Sequence, residues 1–582
     1  VFYLFKYTWK YAAGDRWRLA ACYLLHTLSF AGTLLQPYAF GMAVNTLQAG
    51  GIDNLDAFAR WLGLYIAGFA LFQIGHRSAR YYEISTSLRN QQRFTDAAYA
   101  KLYGLPLAWH TDNHSGVVVN RIKMAGEALR DFGFSQSNFM EHAVLSAGPV
   151  LILLGMDFRM TGLSAALLLI TLLVAFRLNK TIRGILDQMT ESYHLFAGRL
   201  ADFIGNIRTV ITLRLGGQTG GELSSRFVPF FRHSMKENSV NQLRCFILDL
   251  GAILAELSAI LLYLYSCRRG EAVFMIGNLV MIITYFRQMR DAVFEIASSF
   301  YTTMHWASAL KSAHRIMDEA TVWSSTTSAA MISGRGLTVK HLVFSYPHNP
   351  FSLSVEGLEL PAGGRIAVVG SSGSGKSTLL YLLSGLFAAD GAEVLDGAAP
   401  VQLKDVSDAV GLITQDVEIF ENTVGYNITF GTSFDPPALH IAVDCAGFRE
   451  VLDRLPSGFE TDVREKGVNL SGGEKQRLAL ARGLYFSASK SILLLDEVTS
   501  SVDAVNERRI MTRIFSEFRE KTIICTVHRL HLLDMFDMVL VMRDGRIVQK
   551  GTFADLADSE GCFRALWDKY KAKDAPGAEH AS

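Results

Sequence analysis

Arg365-Ile-Ala-Val-Val-Gly370-Ser371-Ser-Gly373-Ser374-Gly375-Lys376-Ser377-Thr378 is a short apolar run that ends in a glycine-rich turn and leads into a leucine-rich stretch. The run Arg365 to Val369 reads as a buried strand, and the leucines after Thr378 read as a helix. Between them stands the spacing G-x-x-x-x-G-K-S, whose glycines let backbone N–H groups wrap phosphate oxygens at the start of a helix. In that geometry Lys376 reaches the outer phosphates and the Ser377 hydroxyl is offered to Mg²⁺. A strand–turn–helix of this kind belongs to an α/β domain that binds a nucleoside triphosphate.

Two further elements lie downstream. Ser491-Ile-Leu-Leu-Leu-Asp496-Glu497 is a second buried strand closing on adjacent carboxylates. Phosphoryl transfer needs such a pair at the exposed end of a sheet. Asp496 is expected to hold the metal and Glu497 to polarise the attacking water as general base. Upstream, Leu470-Ser471-Gly472-Gly473-Glu474-Lys475-Gln476-Arg477 is a glycine-rich turn opening a helix, a second phosphate-recognising terminus in the same domain.

Upstream of residue 320 the chain changes solvent. Of its 582 residues, 50% are hydrophobic and only 19% charged, and the polar residues are unevenly distributed. A helix needs roughly 20 mostly apolar residues to cross a bilayer, and six runs qualify. They are Leu19–Gln48, Phe58–Ile74, Phe139–Met156, Gly162–Phe176, Phe246–Ser266 and Ala272–Phe286. The first carries no Asp, Glu, Lys or Arg. Long basic stretches, with Arg77, Arg80, Arg89, Arg93, Lys101, Arg121, Lys180, Arg183 and Arg199, separate spans two from three and four from five. By the positive-inside bias they belong in the cytoplasm, with both termini on that side; Arg268 and Arg269 run against it. Polar bends at Thr111–Arg121 and Gly205–Gly217 fall at the far ends of these extensions and are natural places to meet an attached nucleotide domain. The opening stretch through Arg18 mixes aromatic and basic residues, as an interfacial helix does. The first residue is Val, so a preceding segment is left open.

Residues 1–320 thus read as a six-span domain with cytoplasmic extensions, 321–333 as a linker around Ser324–Ser328, and 334–582 as the nucleotide-binding domain. A net charge of +1 gives no reason to expect a nucleic-acid surface. Six cysteines without a C-x-x-C pair suggest neither a disulfide framework nor a zinc site.

Gly370 to Thr378, Leu470 to Arg477 and Ile492 to Glu497 resemble the Walker A, signature and Walker B motifs of ABC ATPases. Six spans ahead of one such domain resemble the half-transporter exporters of the type IV fold: an all-α membrane domain fused to an α/β P-loop NTPase. Trp109-His110 and Ser115-Gly116 are similar to the family's aromatic and glycine positions at the first cytoplasmic bend.

The resemblance implies a dimer holding two ATPs. Ser471, Gly472 and Gly473 of one subunit would cover ATP on the other's Walker A loop. It further implies that Tyr346 stacks on adenine, Gln415 sits near Mg²⁺, His528 contacts the γ-phosphate and Asp503 is the D-loop aspartate. Glu474 stands where Gln is commonest, and Ser501-Val502 replace the usual D-loop pair. The complete set of catalytic motifs favours a homodimer in the cell (inner) membrane, with its nucleotide domain in the cytoplasm. Export of an amphipathic or hydrophobic substrate is expected; a siderophore-type importer or an ATP-gated channel would carry the same motifs. The chemical clue to cargo is Asp249 and Glu256, seven residues apart on one face of the fifth span. The alternative for them is pairing with Arg77, Arg177 or Arg287.

Overall fold

The computed structural model describes residues 2–113, 115–321, 336–346, 351–387, 389, 391–432, 435–463 and 470–574. The linker assigned to 321–333 and the domain start at 334 fall, from 322 onward, outside these residues. The chain divides into one unit of Val1–Gly104 with Asn113–Ala320, and a second of Leu105–Asp112 with Thr321–Ser582.

The first unit is helical throughout. After α1 (Phe2–Tyr11) come α2 (Arg16–Gly50), α3 (Leu55–Tyr103), α5 (Ser115–Leu154), α6 (Phe158–Gly205), α7 (Ile207–Thr212), α8 (Gly216–Arg268) and α9 (Ile276–Met317), while α4 (Leu107–Asp112), between α3 and α5 in the chain, belongs to the second unit. Six of these are longer than a bilayer requires, and in α3, α5, α6, α8 and α9 the apolar run adjoins a polar stretch of the same helix that keeps its backbone hydrogen bonds beyond the membrane. Four segments among the described residues are long and apolar enough to cross a membrane: Arg16–Tyr103, which holds α2 and α3 together, and α5, α6 and α8. In α9, Arg287, Arg290 and Asp291 already fall within the first eighteen residues, and its helix starts at Ile276 rather than Ala272. The helical part of the expected sixth span is therefore shorter at its start than its sequence run suggested, and charged residues follow it directly.

The first bend also differs from expectation. It has two breaks, one at Gly104–Pro106 ahead of the expected stretch and one at Asn113 within it, and the rest of Thr111–Arg121 that is described is helix. Gly104 caps α3 and Pro106 cannot continue it. The second bend falls where expected, with α7 between Gly205 and Gly216.

Within a bilayer, apolar side chains gain nothing by leaving lipid for each other, so helices associate through close backbone approach. At the α2–α9 crossing a Cβ on Gly277 would lie 1.9 Å from the Gly41 carbonyl oxygen. At the α2–α3 crossing a Cβ on Gly32 would lie 2.6 Å from the Gly68 carbonyl oxygen. Buried polar groups are paired across helices as well. Fully buried Glu83 of α3 accepts from the Ser137 N–H of α5 at 3.0 Å, and from Arg80 of its own helix at 2.8 Å. Arg244 reaches Asn179 at 2.7 Å.

The second unit is built on a sheet whose strands are β1 (Leu337–Ser345), β2 (Ser352–Leu360), β3 (Arg365–Gly370), β4 (Glu393–Asp396), β5 (Ala399–Val401) and β6 (Val410–Ile413). A separate small ladder pairs β7 (Asn422–Thr423) with β8 (Asp462–Val463), and the main sheet resumes with β9 (Ile492–Asp496), β10 (Thr522–Thr526), β11 (Met538–Arg543) and β12 (Arg546–Gly551). The main sheet runs β5-β4-β1-β2-β12-β11-β3-β10-β9-β6. Its segment β11-β3-β10-β9-β6 is parallel, and its strands are apolar on both faces, as a covered parallel sheet demands. Ile492 and Leu494 enter one core while Leu493 and Leu495 enter the other. Because β10 lies between β3 and β9, the loop after β3 and the carboxylates after β9 emerge on either side of Thr526, at the carboxyl edge where such sheets bind ligands.

Candidate functional site: a nucleotide cradle at the sheet edge

The turn after β3 is shaped by glycines that nothing else could replace. Gly373 and Gly375 have φ of 81° and 99°, a region other residues avoid. A Cβ on Gly375 would lie 2.7 Å from the Phe351 ring, and one on Gly370 would lie 2.3 Å from the Met542 carbonyl oxygen. Ser371 and Ser374 lie in the same turn, and Ser374 is buried with an unpartnered hydroxyl. The helix Lys376–Leu383 begins at once, so its first N–H groups face the loop. Lys376 is buried, and its ammonium donates to the Gly370 and Ser371 carbonyls, each at 3.1 Å. Burial pushes the Lys376 pKa down, against the opposing pull of Glu497 and Asp496.

At the end of β9, Asp496 is 1% exposed. Its Oδ1 accepts from Ser377 at 3.1 Å and from Thr526 at 2.8 Å, while its Oδ2 is buried without any hydrogen-bond partner. A buried carboxylate oxygen left unsatisfied is costly, so a hydroxyl and an orphaned carboxylate oxygen side by side are the donor set a hard cation takes. The residues present fit Mg²⁺: Ser377 and Asp496 would hold it.

Glu497, one residue on, has φ of 50°, rare for a side chain of its kind. Its N–H is fixed by the Thr526 hydroxyl at 2.8 Å. Its Oε2 accepts from Gln415 at 2.9 Å and its Oε1 lies 2.7 Å from His528 Nε2. The four residues expected to share the chemistry, Glu497, His528, Gln415 and Asp496, thus stand together around Thr526, which sequence reasoning did not single out.

Tyr346 follows β1 and lies in an aromatic cluster with Phe344, Phe351 and Phe387. Its hydroxyl is 3.1 Å from that of Thr378, which carries it to the base of the loop. The signature segment stands apart as the start of the helix Gly472–Phe486. Ser471 caps it, accepting from the Glu474 N–H at 3.4 Å while Glu474 accepts from the Ser471 N–H at 2.9 Å. Gly472 is exposed beside them, and a Cβ on Gly473 would come within 3.2 Å of the Ser501 carbonyl oxygen. Asp503 is exposed and caps the helix Ala504–Glu517 by accepting from Asn506 at 3.0 Å.

Gln476 was missed by the motif reading as a positioning group. It is buried, donates to the Glu497 carbonyl at 3.2 Å and to Ser500 at 3.0 Å, and accepts from the Ser501 N–H at 2.8 Å. The signature helix is thereby tied to the backbone at the end of β9. In α8, Asp249 is exposed and Glu256 half-buried, and among the described residues neither is found in an ion pair with Arg77, Arg177 or Arg287.

Comparison with known proteins gives a consistent set of likenesses. Residues 354–500 match the family model described as ABC transporter, and residues 19–293 match that described as ABC transporter transmembrane region. An ATP-dependent lipid A-core flippase of Aromatoleum aromaticum is 31% identical over 89% of this chain and 86% of its own length. An ATM1-type heavy metal exporter of Novosphingobium aromaticivorans is 26% identical over 97% of this chain and 94% of its own. In fold, the chain matches a bacterial Atm1-family ABC exporter solved with ATP bound, at a TM-score of 0.83 and 23% identity, over 97% of this chain and 99% of that one.

Proposed function

The chain belongs to the ABC transporter family, and from that premise we propose that it works as a dimer exporting an amphipathic cargo by alternating access. It is a membrane protein that couples ATP hydrolysis to export.

In the proposed mechanism, ATP phosphates lie in the loop Gly370–Thr378, with Lys376 turning from its loop carbonyls to the outer phosphates and Tyr346 against the adenine. Ser377 and Asp496, with Gln415 nearby, would hold Mg²⁺, which would supply compensating positive charge for the phosphates. Glu497 accepts the proton of the attacking water, oriented by Gln415 on one oxygen and His528 on the other. As phosphoryl transfer is mostly positioning and charge stabilisation, His528 contributes at the γ-phosphate end of the same line. Ser471, Gly472 and Gly473 of a second copy would close over this ATP, with Asp503 beside them, in a dimer that we place in the cell inner membrane. The observation carrying this reading is the meeting of Glu497, His528, Gln415 and Asp496 beside the loop.

For cargo, the unpaired Asp249 and Glu256 on α8 favour a molecule with an apolar body and a cationic or hydroxylated head. Relatives are named for lipid A-core and for heavy metals, and the carboxylates suit either a polar headgroup or a cationic conjugate. The test is ATP hydrolysis by the purified protein in lipid, wild type against Glu497→Gln and Glu256→Gln, with lipid-like and metal-conjugate cargo classes added in turn. Collapse in Glu497→Gln with cargo stimulation that Glu256→Gln loses supports the reading. Stimulation unchanged in Glu256→Gln removes the carboxylate from the cargo path.

A further inference from the structure

Glu507 lies in the first turn of the helix Ala504–Glu517, is 5% exposed, and has no place in the mechanism above. Its Oε1 accepts from the Thr499 hydroxyl at 2.7 Å. Its Oε2 receives Arg529 Nη1 at 3.1 Å, and that same nitrogen donates to the Val502 carbonyl at 2.7 Å. His531 Nε2 lies 3.8 Å from Oε2, and His531 Nδ1 lies 3.3 Å from the Tyr570 hydroxyl.

These partners are not scattered. Thr499 follows Glu497 by two residues, Val502 precedes Asp503, and Arg529 follows His528. A buried carboxylate needs compensation for its lost hydration, but one partner in its own helix would serve. This one instead joins three segments that carry the chemistry.

We propose that Glu507 is a positioning residue for ATP hydrolysis, holding the turn after the base, the aspartate loop and the segment carrying His528 in one register. The proposal rests on the assignment of Glu497 and His528 above. The connection runs from Glu497 along the backbone to Thr499, through the Glu507 carboxylate to Arg529, and along the backbone to His528. No link in it passes through the loop Gly370–Thr378, so loss of Glu507 disturbs turnover and leaves nucleotide capture alone.

The experiment measures kcat, KM for ATP and nucleotide affinity for wild type, Glu507→Gln, Thr499→Val and the double variant in lipid, with Glu497→Gln alongside. Each single variant is expected to lower kcat about tenfold with KM within about twofold, and the double to be no worse than the worse single, as for groups acting as a unit. A kcat unchanged in Glu507→Gln overturns the proposal. So does a parallel fall of kcat and nucleotide affinity in both single variants, the mark of general loosening. If Glu507→Gln fails to fold, Thr499→Val decides by the same split. If Glu497→Gln hydrolyses ATP at the wild-type rate, the base assignment fails and the proposal with it; a collapsed Glu497→Gln beside a normal Glu507→Gln rejects Glu507 alone.

Discussion

His528 Nε2 lies 2.7 Å from Glu497 Oε1, while Gln415 occupies the other carboxylate oxygen at 2.9 Å. The two contacts come from the strands on either side of β9, one after β10 and one after β6, so the carboxylate is aimed by tertiary structure and not by its own strand. His528→Ala is expected to cut ATP turnover about 10²-fold or more, and Gln415→Ala to cut it less, because an amide orients where an imidazole also exchanges charge. Steady-state hydrolysis with nucleotide binding measured in parallel checks both; equal, small effects would mean that neither side chain aims the base.

Thr526 serves Asp496 and the Glu497 N–H at once. Thr526→Val keeps the shape and removes both bonds, leaving a buried N–H unsatisfied at a cost of about 1–3 kcal/mol. Turnover should fall and the melting temperature should drop together. Retained turnover in a stable protein would show that the strand alone fixes the carboxylates.

The Ser471 backbone N–H holds the Glu474 carboxyl below its ordinary 4.5, with the Ser471 hydroxyl and Arg454 adding to it against the effect of burial. A lowered carboxylate stabilises the fold above its unfolded value and loses that contribution as pH falls through the folded one. Glu474→Gln keeps an acceptor for the cap but does not titrate. The stability gap between wild type and Glu474→Gln should therefore be present at pH 7 and close as pH drops below about 4.5, followed by thermal melts across that range.

Gly277 and Gly41 meet so closely that Gly277→Val must push α9 from α2. A loss of about 1–3 kcal/mol is expected from overpacking. Gly184→Ala in α6, where a Cβ meets nothing within 4 Å, should instead be neutral or gain up to about 1 kcal/mol. Denaturation in detergent distinguishes the two, and equal losses would contradict the close crossing.

Much of this was legible beforehand because the phosphate loop, the strand of Asp496 and the signature turn each write their chemistry in consecutive residues. Thr526, Gln476 and Glu507 left no such mark. Their partners lie 21 to 30 residues away in Gln476 to Glu497 and Thr526 to Asp496, and for Glu507 to Arg529, 22 residues, and only strand register brings them together. The sixth span was overextended for a related reason. Hydropathy reads Ala272–Met275 as apolar, but the backbone there is loop, with the Met275 N–H bound to the Tyr263 hydroxyl at 2.9 Å. The first bend begins earlier than Thr111 because Gly104 and Pro106 already stop α3, and its second break, at Asn113, falls where the polar residues placed it.

The left-handed backbone at Glu497 sets heat resistance against catalysis at a single position. Glycine there would relieve a conformational cost of about 1–3 kcal/mol and erase the base with it. Selection on thermal survival alone would therefore reward silent pumps, and an improved chain has to gain its robustness elsewhere.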